Sequence, residues 1–343
     1  IGYVVNYFQL FSISYMTNSV MSELPYYGLS NTELQKQLTN DRLSMMFDNN
    51  EFVDYLNNLN SSCLLKELNF QYVTEEQLTA KLKKLDRNIE LSVFHMNIRS
   101  LNSKQRQICQ LFELLDYEFD VIILTEIWTV NINFYANLFT GYDFYYDLPQ
   151  ESKVGGVGLF IRNTCTVHEL PQYQILSTRT SVVENKWVEV TKESRKYIIG
   201  GIYRHPNQNI ADFTSLLEPV LNSISDQKLP CIIAGDINID LTKSRVNENT
   251  SRYVDSLLTN NFLPTVLMPT RITPSSATLI DHMYYFDGCG SQNKVAQSGN
   301  LLADISDHLP NFMLILHDKM EPAKRPKIRI MSNKNREKFC EKN

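Results

Sequence analysis

The chain has 343 residues, of which 43% are hydrophobic and 21% are charged, and its formal net charge is -5. This composition is typical of a globular protein and excludes a chain that is disordered throughout. Its apolar stretches are too short to span a bilayer, so we expect no membrane partner. The six cysteines are dispersed without a CxxC pair, which favours an intracellular reducing compartment over a disulfide framework or a zinc knuckle.

The N-terminal region, residues 1–88, predicts a weakly ordered helical leader. Leucines recur there at helix-like spacing, for example at Leu78, Leu82 and Leu85, among Asn, Gln, Ser and Lys residues. The first residue is Ile, and the last residue lies within a basic polar stretch. We therefore expect both ends to be cut edges of a longer reading frame.

From residue 89 onward the pattern changes to short apolar strands. Residues 91–96 predict a strand, 103–116 an amphipathic helix and 121–125 a buried strand, which together form a strand–helix–strand unit. Many of the later strands lack an intervening helix. The predicted fold class is therefore α/β (α+β), with two packed mixed β-sheets flanked by helices and a helical N-terminal extension. The later strands are predicted over 156–161, 186–190, 197–203, 231–234, 282–286 and 312–317, and the later helices over 210–224 and 249–260.

The C-terminal stretch, residues 319–343, differs from the rest of the chain in charge. It has nine Lys or Arg and three Asp or Glu, which leaves a net charge of -11 on the remainder. This stretch predicts a basic linker. An acidic body argues against a general nucleic-acid coat, yet a nuclease must gather carboxylates around a metal ion, so the charge alone leaves the function open.

Polar side chains lie at the ends of the apolar strands, where loops direct them into a shared cleft. A lone acidic residue after a strand is more often a solvated loop residue or a helix cap, and Asp-Ile-Asn is commonly a turn. Together these residues supply what metal-dependent phosphodiester hydrolysis requires: hard oxygens for Mg²⁺, a base for water and donors to phosphate. The sequence has no Gly-x-Ser-x-Gly elbow, no His-Glu-x-x-His and no Walker-type loop. The residues are Asn97, Glu126, Tyr203, Asp236, Asn238, Asp281, Asp307 and His308.

Eight short motifs follow one another along the chain. They are HMNIRSL (95–101), LTEIW (124–128), GGVGLFI (155–161), YRHP (203–206), GDINID (235–240), PTRIT (269–273), LIDHMYY (279–285) and SDHLP (306–310). In this order they resemble the endonuclease/exonuclease/phosphatase superfamily over residues 89–317, and more narrowly the apurinic-endonuclease-like domain of non-LTR (LINE-type) retrotransposon polyproteins. The resemblance implies a four-layer α/β sandwich, an endonuclease domain over 89–318 and a linker toward a reverse transcriptase that this chain lacks.

The resemblance also implies how the metal ion and the attacking water are held. Glu126 is then the principal Mg²⁺ ligand, Asn97 and Asp307 lie beside the metal, and Mn²⁺ is a substitute for Mg²⁺. Asp236 orients or deprotonates the attacking water. Asn238 holds that water and a phosphate oxygen.

The remaining implied roles concern the phosphate and the DNA backbone. His308, held by Asp281, donates to the phosphate in the transition state, and Tyr203 supports the phosphate or the leaving group. Arginine suits phosphate geometry, although Arg271 could equally cap a loop. The positions that match DNA-backbone contacts are Arg204, Thr270, Arg271 and Thr273.

The implied function is Mg²⁺-dependent nicking of double-stranded DNA, which leaves a 3′-hydroxyl for target-primed reverse transcription. Retrotransposon RNA is then bound only by the missing downstream domain, and the implied location is the nucleus. Three alternatives stay open: an abasic-site repair endonuclease, another phosphoesterase of the same superfamily, and an inactive remnant that binds DNA without cutting it.

Overall fold

The structure, a computed structural model, describes residues 51–58, 69–129, 132–149, 154–273, 276–288 and 296–317. Most of the predicted leader and the whole predicted basic linker lie outside the described residues. Among the described helices, none is long and apolar enough to cross a membrane.

The described part of the chain forms five α-helices and fifteen strands. In chain order they are α1 (Glu51–Asn58), β1 (Asn69–Val73), α2 (Glu75–Leu85), β2 (Ile89–Asn97), α3 (Leu101–Leu115), β3 (Val121–Thr125), β4 (Tyr142–Asp147), β5 (Val157–Arg162), β6 (Thr166–Glu169), β7 (Val183–Lys192), β8 (Arg195–Arg204), α4 (Ile210–Gln227), β9 (Cys231–Asp236), α5 (Glu248–Thr259), β10 (Leu263–Pro264), β11 (Arg271–Thr273), β12 (Ser276–Thr278), β13 (Asp281–Phe286), β14 (Ala296–Leu301) and β15 (Asn311–Leu316).

Two large mixed sheets form the body of the protein. The seven-stranded sheet has the order β1-β14-β15-β2-β3-β5-β4, and the six-stranded sheet has the order β10-β13-β9-β8-β7-β6. Each sheet contains parallel and antiparallel pairs. This arrangement confirms the predicted fold class of two mixed sheets with flanking helices.

Side chains of the central strands alternate between the two faces of the sheet and pack in two separate hydrophobic cores. In β3, Val121 and Ile123 pack in a cluster that also contains residues of β8 and β9 from the other sheet, whereas Ile122 and Leu124 pack with α3. The strand is buried on both faces, which is why its sequence is a continuous apolar run and not an alternating one. The sheets approach each other closely because β8 carries Gly201, where a Cβ would lie 2.7 Å from a methyl group of Leu159 in β5.

Each sheet has a parallel strand pair joined by a helix at its centre. The units are β2-α3-β3 in one sheet and β8-α4-β9 in the other. Asn97 is opposite Thr125 at the carboxyl end of the first pair, and Tyr203 is opposite Asp236 at the carboxyl end of the second. The carboxyl ends of parallel strands are where open α/β sheets bind ligands.

Antiparallel neighbours bring further residues to the same edge. Strand β13 begins with Asp281 directly opposite Asp236. Strand β15 begins beside the end of β2, because Asn311 pairs with His95, so the segment that leads into β15 lies at the same edge. The segment is also fixed by Ser306, whose hydroxyl donates to the Asn97 carbonyl at 2.7 Å. The fold therefore collects the ends of six strands in one place.

The structure also shows strands that the sequence did not predict. Strand β1 lies within the predicted helical leader and pairs in parallel with β14, so the seven-stranded sheet includes residues before position 89. Its five residues, NFQYV, are too short and too polar to stand out against the leucine spacing around them. The other strands absent from the prediction, β4, β6, β10, β11, β12 and β14, are likewise short.

The pairing of β1 with β14 gives a first prediction. Gly299 in β14 is opposite Gln71, and a Cβ at Gly299 would lie 2.2 Å from the Gln71 carbonyl oxygen. We expect Gly299→Ala to displace β1, to lower the free energy of unfolding in urea by about 1–3 kcal/mol and to speed amide hydrogen exchange over 69–73.

Gly141→Ala is the matched control. A Cβ at Gly141 meets no described atom within 4 Å, although its φ of +83° makes alanine strained. This control should lower stability without changing exchange over 69–73. Unchanged exchange in Gly299→Ala would contradict the pairing of β1.

Candidate active site

Asn97 lies at the centre of the candidate site. Its fully buried side chain donates from Nδ2 to Glu126 Oε1 at 2.9 Å and to Asp236 Oδ2 at 2.7 Å. Because Glu126 follows a strand of one sheet and Asp236 ends a strand of the other, this amide group joins the two sheets. Tyr203 donates its hydroxyl to the same Glu126 oxygen at 3.2 Å. The structure thus brings these four predicted residues together.

Two of the predicted residues have unusual backbone conformations. Glu126 has a φ of +53° and Asn238 a φ of +52°, in the left-handed region that costs a non-glycine residue about 1–2 kcal/mol. The Glu126 carbonyl accepts from the Ser100 amide at 2.8 Å, and the Asn238 amide donates to Asp236 Oδ1 at 3.0 Å. Such strain persists where the surrounding structure holds a side chain in one direction, as at functional sites.

Asp281 and His308 form a buried pair beside Asp236. His308 Nδ1 lies 2.8 Å from Asp281 Oδ2, which also accepts from the Thr270 hydroxyl at 2.6 Å. The other oxygen, Asp281 Oδ1, is buried without a hydrogen-bond partner among the described residues. One ligand atom each from Asp236, Asp281 and His308 lie within 4.8 Å of one another. The predicted carboxylate–histidine pair is therefore present in the geometry.

The pKa values of these groups diverge. Burial raises the pKa of Asp236, and the negative charge of Asp281 raises it further, to about 7. Burial alone would lower the pKa of His308, but the charge and hydrogen bond of Asp281 raise it to about 9. Burial also opposes ionisation of Asp281, yet its contacts with His308 hold the pKa of that carboxyl below its usual value. At neutral pH, His308 is protonated and Asp281 ionised.

The donor set fits a divalent cation. The carboxylate oxygens of Glu126 and Asp236 converge on one amide group, and hard oxygens are what Mg²⁺ and Mn²⁺ take as ligands. A cation bound by these carboxylates would compensate the burial of Asp236. Asn97 directs Nδ2 toward these two carboxylates, because its Oδ1 already accepts from the Arg99 backbone amide at 3.1 Å.

Asp307 lies beside the site but is already paired. Arg99 Nη1 lies 2.9 Å from Asp307 Oδ1, and Arg271 Nη2 lies 2.8 Å from Oδ2. Both Asp307 oxygens thus bind guanidinium groups, and the expectation that Asp307 lies beside the metal stays a prediction.

Arg204 and Thr270 do not have the surface positions that DNA contact requires. Arg204 is 1% exposed, and its guanidinium donates to the carbonyls of Ile237 and Asn238 at 2.9 and 3.2 Å, and to two more carbonyls in the 205–208 turn. Thr270 is fully buried and holds Asp281. The prediction that these two side chains contact the DNA backbone is wrong: their polar atoms bind the protein itself.

Arg271 and Thr273 remain partly exposed. The Arg271 side chain is 40% exposed at the start of the β11–β12 hairpin, and Thr273 binds Ser276 across the turn of that hairpin. Both positions are therefore accessible to a ligand, and their predicted contact with DNA stays a prediction.

Two features of the site escaped the sequence analysis. Arg99 follows Asn97 by two residues and binds Asp307. His205 Nε2 lies 3.0 Å from the Glu184 carboxylate, and the His205 ring packs 4.9 Å from the Tyr203 ring. The signal for both residues is their place inside the HMNIRSL and YRHP motifs, next to Asn97 and Tyr203.

Comparisons with known proteins identify a family and a fold. A family model described as the Endonuclease/Exonuclease/phosphatase family matches residues 94–308. Among solved structures, an endonuclease/exonuclease/phosphatase family protein from Bacteroides thetaiotaomicron has 14% identity and a TM-score of 0.51, covering 67% of this chain and 95% of that one. A mannosyl-6-phosphatase from the same organism has 14% identity and a TM-score of 0.50, covering 66% and 100%. At this identity, the two likenesses show the fold.

A third solved structure is the endonuclease domain of TRAS1, a telomere-specific non-LTR retrotransposon. It has 13% identity and a TM-score of 0.49, and the match covers 66% of this chain and 97% of that one. No curated protein matches the sequence.

The buried position of Arg204 gives a second prediction. Arg204→Lys retains the charge but replaces a planar fork of donors by one ammonium group, which leaves buried carbonyls unpaired. We expect the free energy of unfolding in urea to fall by about 2 kcal/mol or more. Arg271→Lys, in a partly exposed ion pair, should cost about 1 kcal/mol or less. Equal, small losses in both variants would contradict the structural role of Arg204.

The Asp281–His308 pair gives a third prediction. Asp281→Asn removes the charge that offsets burial, so the pKa of His308 should fall from about 9 to below its ordinary value of 6.5. Proton NMR titration of the ring in EDTA measures this pKa. Because the folded pKa exceeds the unfolded one, the pair stabilises the fold below pH 6.5, and this contribution disappears as the pH rises through about 9.

Glu118→Gln serves as the control for that titration. Glu118 pairs with Arg162 at the opposite edge of the sheet and is 64% exposed. The pKa of His308 should stay at about 9 in this variant. A His308 pKa that also stays there in Asp281→Asn would show that the carboxylate does not set it.

Proposed function

The chain belongs to the endonuclease/exonuclease/phosphatase family, and on this premise we propose that it is a Mg²⁺-dependent DNA endonuclease. Family members hydrolyse phosphodiesters or phosphate esters and generally use divalent metal ions. The observation that carries the proposal is that Glu126 and Asp236 bind one Asn97 amide while the Asp281–His308 pair lies next to Asp236. In this proposal Glu126 holds a cation, Asp236 is the base and His308 is the acid.

The attack on phosphorus uses Asp236 as the base. Its carboxylate has a pKa of about 7, so at neutral pH it is available to take a proton from the attacking water. Asn238, fixed by its hydrogen bonds to Asp236 and to the Arg204 carbonyl, holds the water and a phosphate oxygen. Glu126 would hold the divalent cation, which when bound supplies stabilisation of negative charge on the phosphate.

The departure of the leaving group uses the other side of the cluster. The bond from phosphorus to the 3′ oxygen breaks, so that the products are a 5′-phosphate and a 3′-hydroxyl. His308 is protonated at neutral pH and donates to a phosphate oxygen in the transition state, while Asp281 fixes its ring. Burial and the charge of Glu126 raise the pKa of Tyr203, so its hydroxyl stays protonated and supports the phosphate or the leaving oxygen.

The proposed substrate is double-stranded DNA, which the protein nicks to prime reverse transcription. The wording of the HMNIRSL, PTRIT and SDHLP motifs, which resembles LINE-type polyproteins, supports this choice over other phosphate esters. The exposed side of Arg271 supports contact with the DNA backbone. In this proposal retrotransposon RNA is bound by a reverse transcriptase domain of the same polyprotein, and the protein works in the nucleus.

Hydrolysis of a phosphate monoester is the second candidate function. The structure with a TM-score of 0.50 is a mannosyl-6-phosphatase, so this fold also serves an enzyme with a sugar phosphate substrate. The same residues would perform the attack on such a substrate, and only its binding contacts would differ.

A fourth prediction tests the proposed reaction. We expect the chain to convert supercoiled plasmid to open circles in Mg²⁺ and not in EDTA. Glu126→Gln and His308→Ala each remove a group that acts in the transition state, so each should lower the nicking rate by at least about 100-fold. Ligation of the nicks without phosphatase or kinase treatment would show 3′-hydroxyl and 5′-phosphate ends.

The controls use residues of the same types away from the site. Glu118→Gln neutralises an exposed carboxylate, and His168→Ala removes an exposed histidine of β6; both should retain the nicking rate. Absence of nicking by the folded chain, together with Mg²⁺-dependent release of phosphate from mannose 6-phosphate, would replace the endonuclease by the second candidate.

A further inference from the structure

Two arginines share one carboxylate at the rim of the candidate site. Asp307 accepts from Arg99 Nη1 at 2.9 Å through Oδ1, and from Arg271 Nε and Nη2 at 2.9 and 2.8 Å through Oδ2. The Arg99 and Arg271 side chains are 45% and 40% exposed, and that of Asp307 is 25% exposed. Because two guanidinium groups meet one carboxylate, this rim cluster keeps an excess of positive charge.

The backbone holds Arg99 in this place at a cost. Arg99 and the next residue, Ser100, have φ values of +43° and +86°, both in the left-handed region. The turn is stabilised by the Arg99 amide, which donates to Asn97 Oδ1, and by the Ser100 amide, which donates to the Glu126 carbonyl. The direction of Arg99 is therefore determined by the same groups that build the catalytic cluster.

Arg271 is fixed to the other side of the cluster. It forms an isolated antiparallel bridge with His308, and the neighbouring Thr270 carbonyl accepts from the Leu309 amide at 2.7 Å. Arg99 thus lies beside Glu126, and Arg271 lies beside His308. The rim cluster is therefore joined on both sides to residues of the candidate site.

We propose that Arg99 and Arg271 form a phosphate-binding subsite for the DNA backbone, and that Asp307 occupies this subsite in the free protein. The inference rests on the proposed function. The planar forks of guanidinium groups match phosphate oxygens, which offer two acceptors to each arginine. Asp307 is partly exposed, and exposed ion pairs hold weakly, so a backbone phosphate can displace it.

Displacement has a consequence for cation binding. Once the arginines turn to a phosphate, the Asp307 carboxylate is released and would be available as a further oxygen ligand for the divalent cation. Phosphate and cation then favour each other's binding, and this coupling is the same in both directions. The cation site would thus be complete only when DNA is bound.

The test measures DNA binding without metal. Fluorescence anisotropy of a labelled DNA duplex in EDTA gives the dissociation constant and its dependence on salt. Arg99→Gln removes a phosphate contact, so we expect binding weaker by about tenfold and a salt slope smaller by about one. Arg271→Gln should have the same effect and serves if Arg99→Gln fails to fold. Arg162→Gln, at the opposite edge of the sheet, is the matched control and should change neither quantity.

Asp307→Asn should act in the opposite direction. Removing the competing carboxylate frees both arginines, so binding of the duplex in EDTA should become several-fold tighter. Glu126→Gln is the control. It removes a nearby negative charge that forms no ion pair with either arginine, and so it measures how much the loss of any nearby negative charge tightens duplex binding. The gain in Asp307→Asn must exceed that in Glu126→Gln, and it must disappear when Arg99 and Arg271 are both replaced by glutamine.

Several outcomes would overturn the subsite. A gain in Asp307→Asn no larger than in Glu126→Gln, or one that persists without the two arginines, would show that Asp307 does not compete with phosphate. Inorganic phosphate is the second probe: because the proposed subsite binds phosphate oxygens, it should displace the duplex more than chloride does at equal ionic strength, and equal displacement by the two anions would contradict the subsite. Because binding is measured without metal, failure here is distinct from failure to nick.

Discussion

The candidate site depends on the pair of hydrogen bonds that Asn97 donates, one to Glu126 and one to Asp236. Each acid belongs to a different sheet, and each follows a parallel strand pair joined by a helix. A buried amide with two hydrogens satisfies one oxygen from each, which lets two carboxylates lie close together without a direct clash of charge. The relative position of the two sheets at this edge is thereby tied to the chemistry of the site.

The second constraint concerns Asp236 and Asp281, which both lie beside the imidazole of His308. His308 binds Asp281 and not Asp236, so Asp281 stays ionised while burial raises the pKa of Asp236 to about 7. In a catalytic site, opposite pKa shifts in two neighbouring carboxyl groups give them different roles: one stays ionised, and the other can exchange a proton near neutral pH. Crowding buried acids lowers stability, and such clusters persist where function requires them.

The sequence predicted best those elements that are buried on both faces. The strand over 121–125 was predicted to the residue because four apolar residues in a row, three of them β-branched, are typical of a buried strand. Strand β1 was missed because its partner β14 is distant in the sequence, and the pairing of short strands depends on tertiary packing. The order of strands also carried the predicted site residues to one edge, since each motif ends or begins a strand.

The sequence could not distinguish a buried arginine that binds the protein from an arginine that stays partly exposed. Arg204 and Arg271 each follow a motif residue, yet one is 1% exposed among carbonyls and the other is partly exposed. Burial of a long polar side chain is decided by the loops that close over it, and loop conformation has no short sequence signal. The same limit hid Arg99, whose partner Asp307 lies in the last motif of the domain.

The place of Asp307 explains how a basic group and an acidic site coexist. Arg99 lies close enough to Glu126 for that carboxylate to raise the pKa of the guanidinium, after the larger effect of its hydrogen bond to Asp307. Under the proposed function, an ion pair between Arg99 and Glu126 would compete with the cation for the same oxygens. Asp307 binds Arg99 at 2.9 Å and so restrains the guanidinium beside Glu126. Because residues 1–318 have a net charge of -11, the positive groups at this rim are where the proposed DNA substrate would meet attraction.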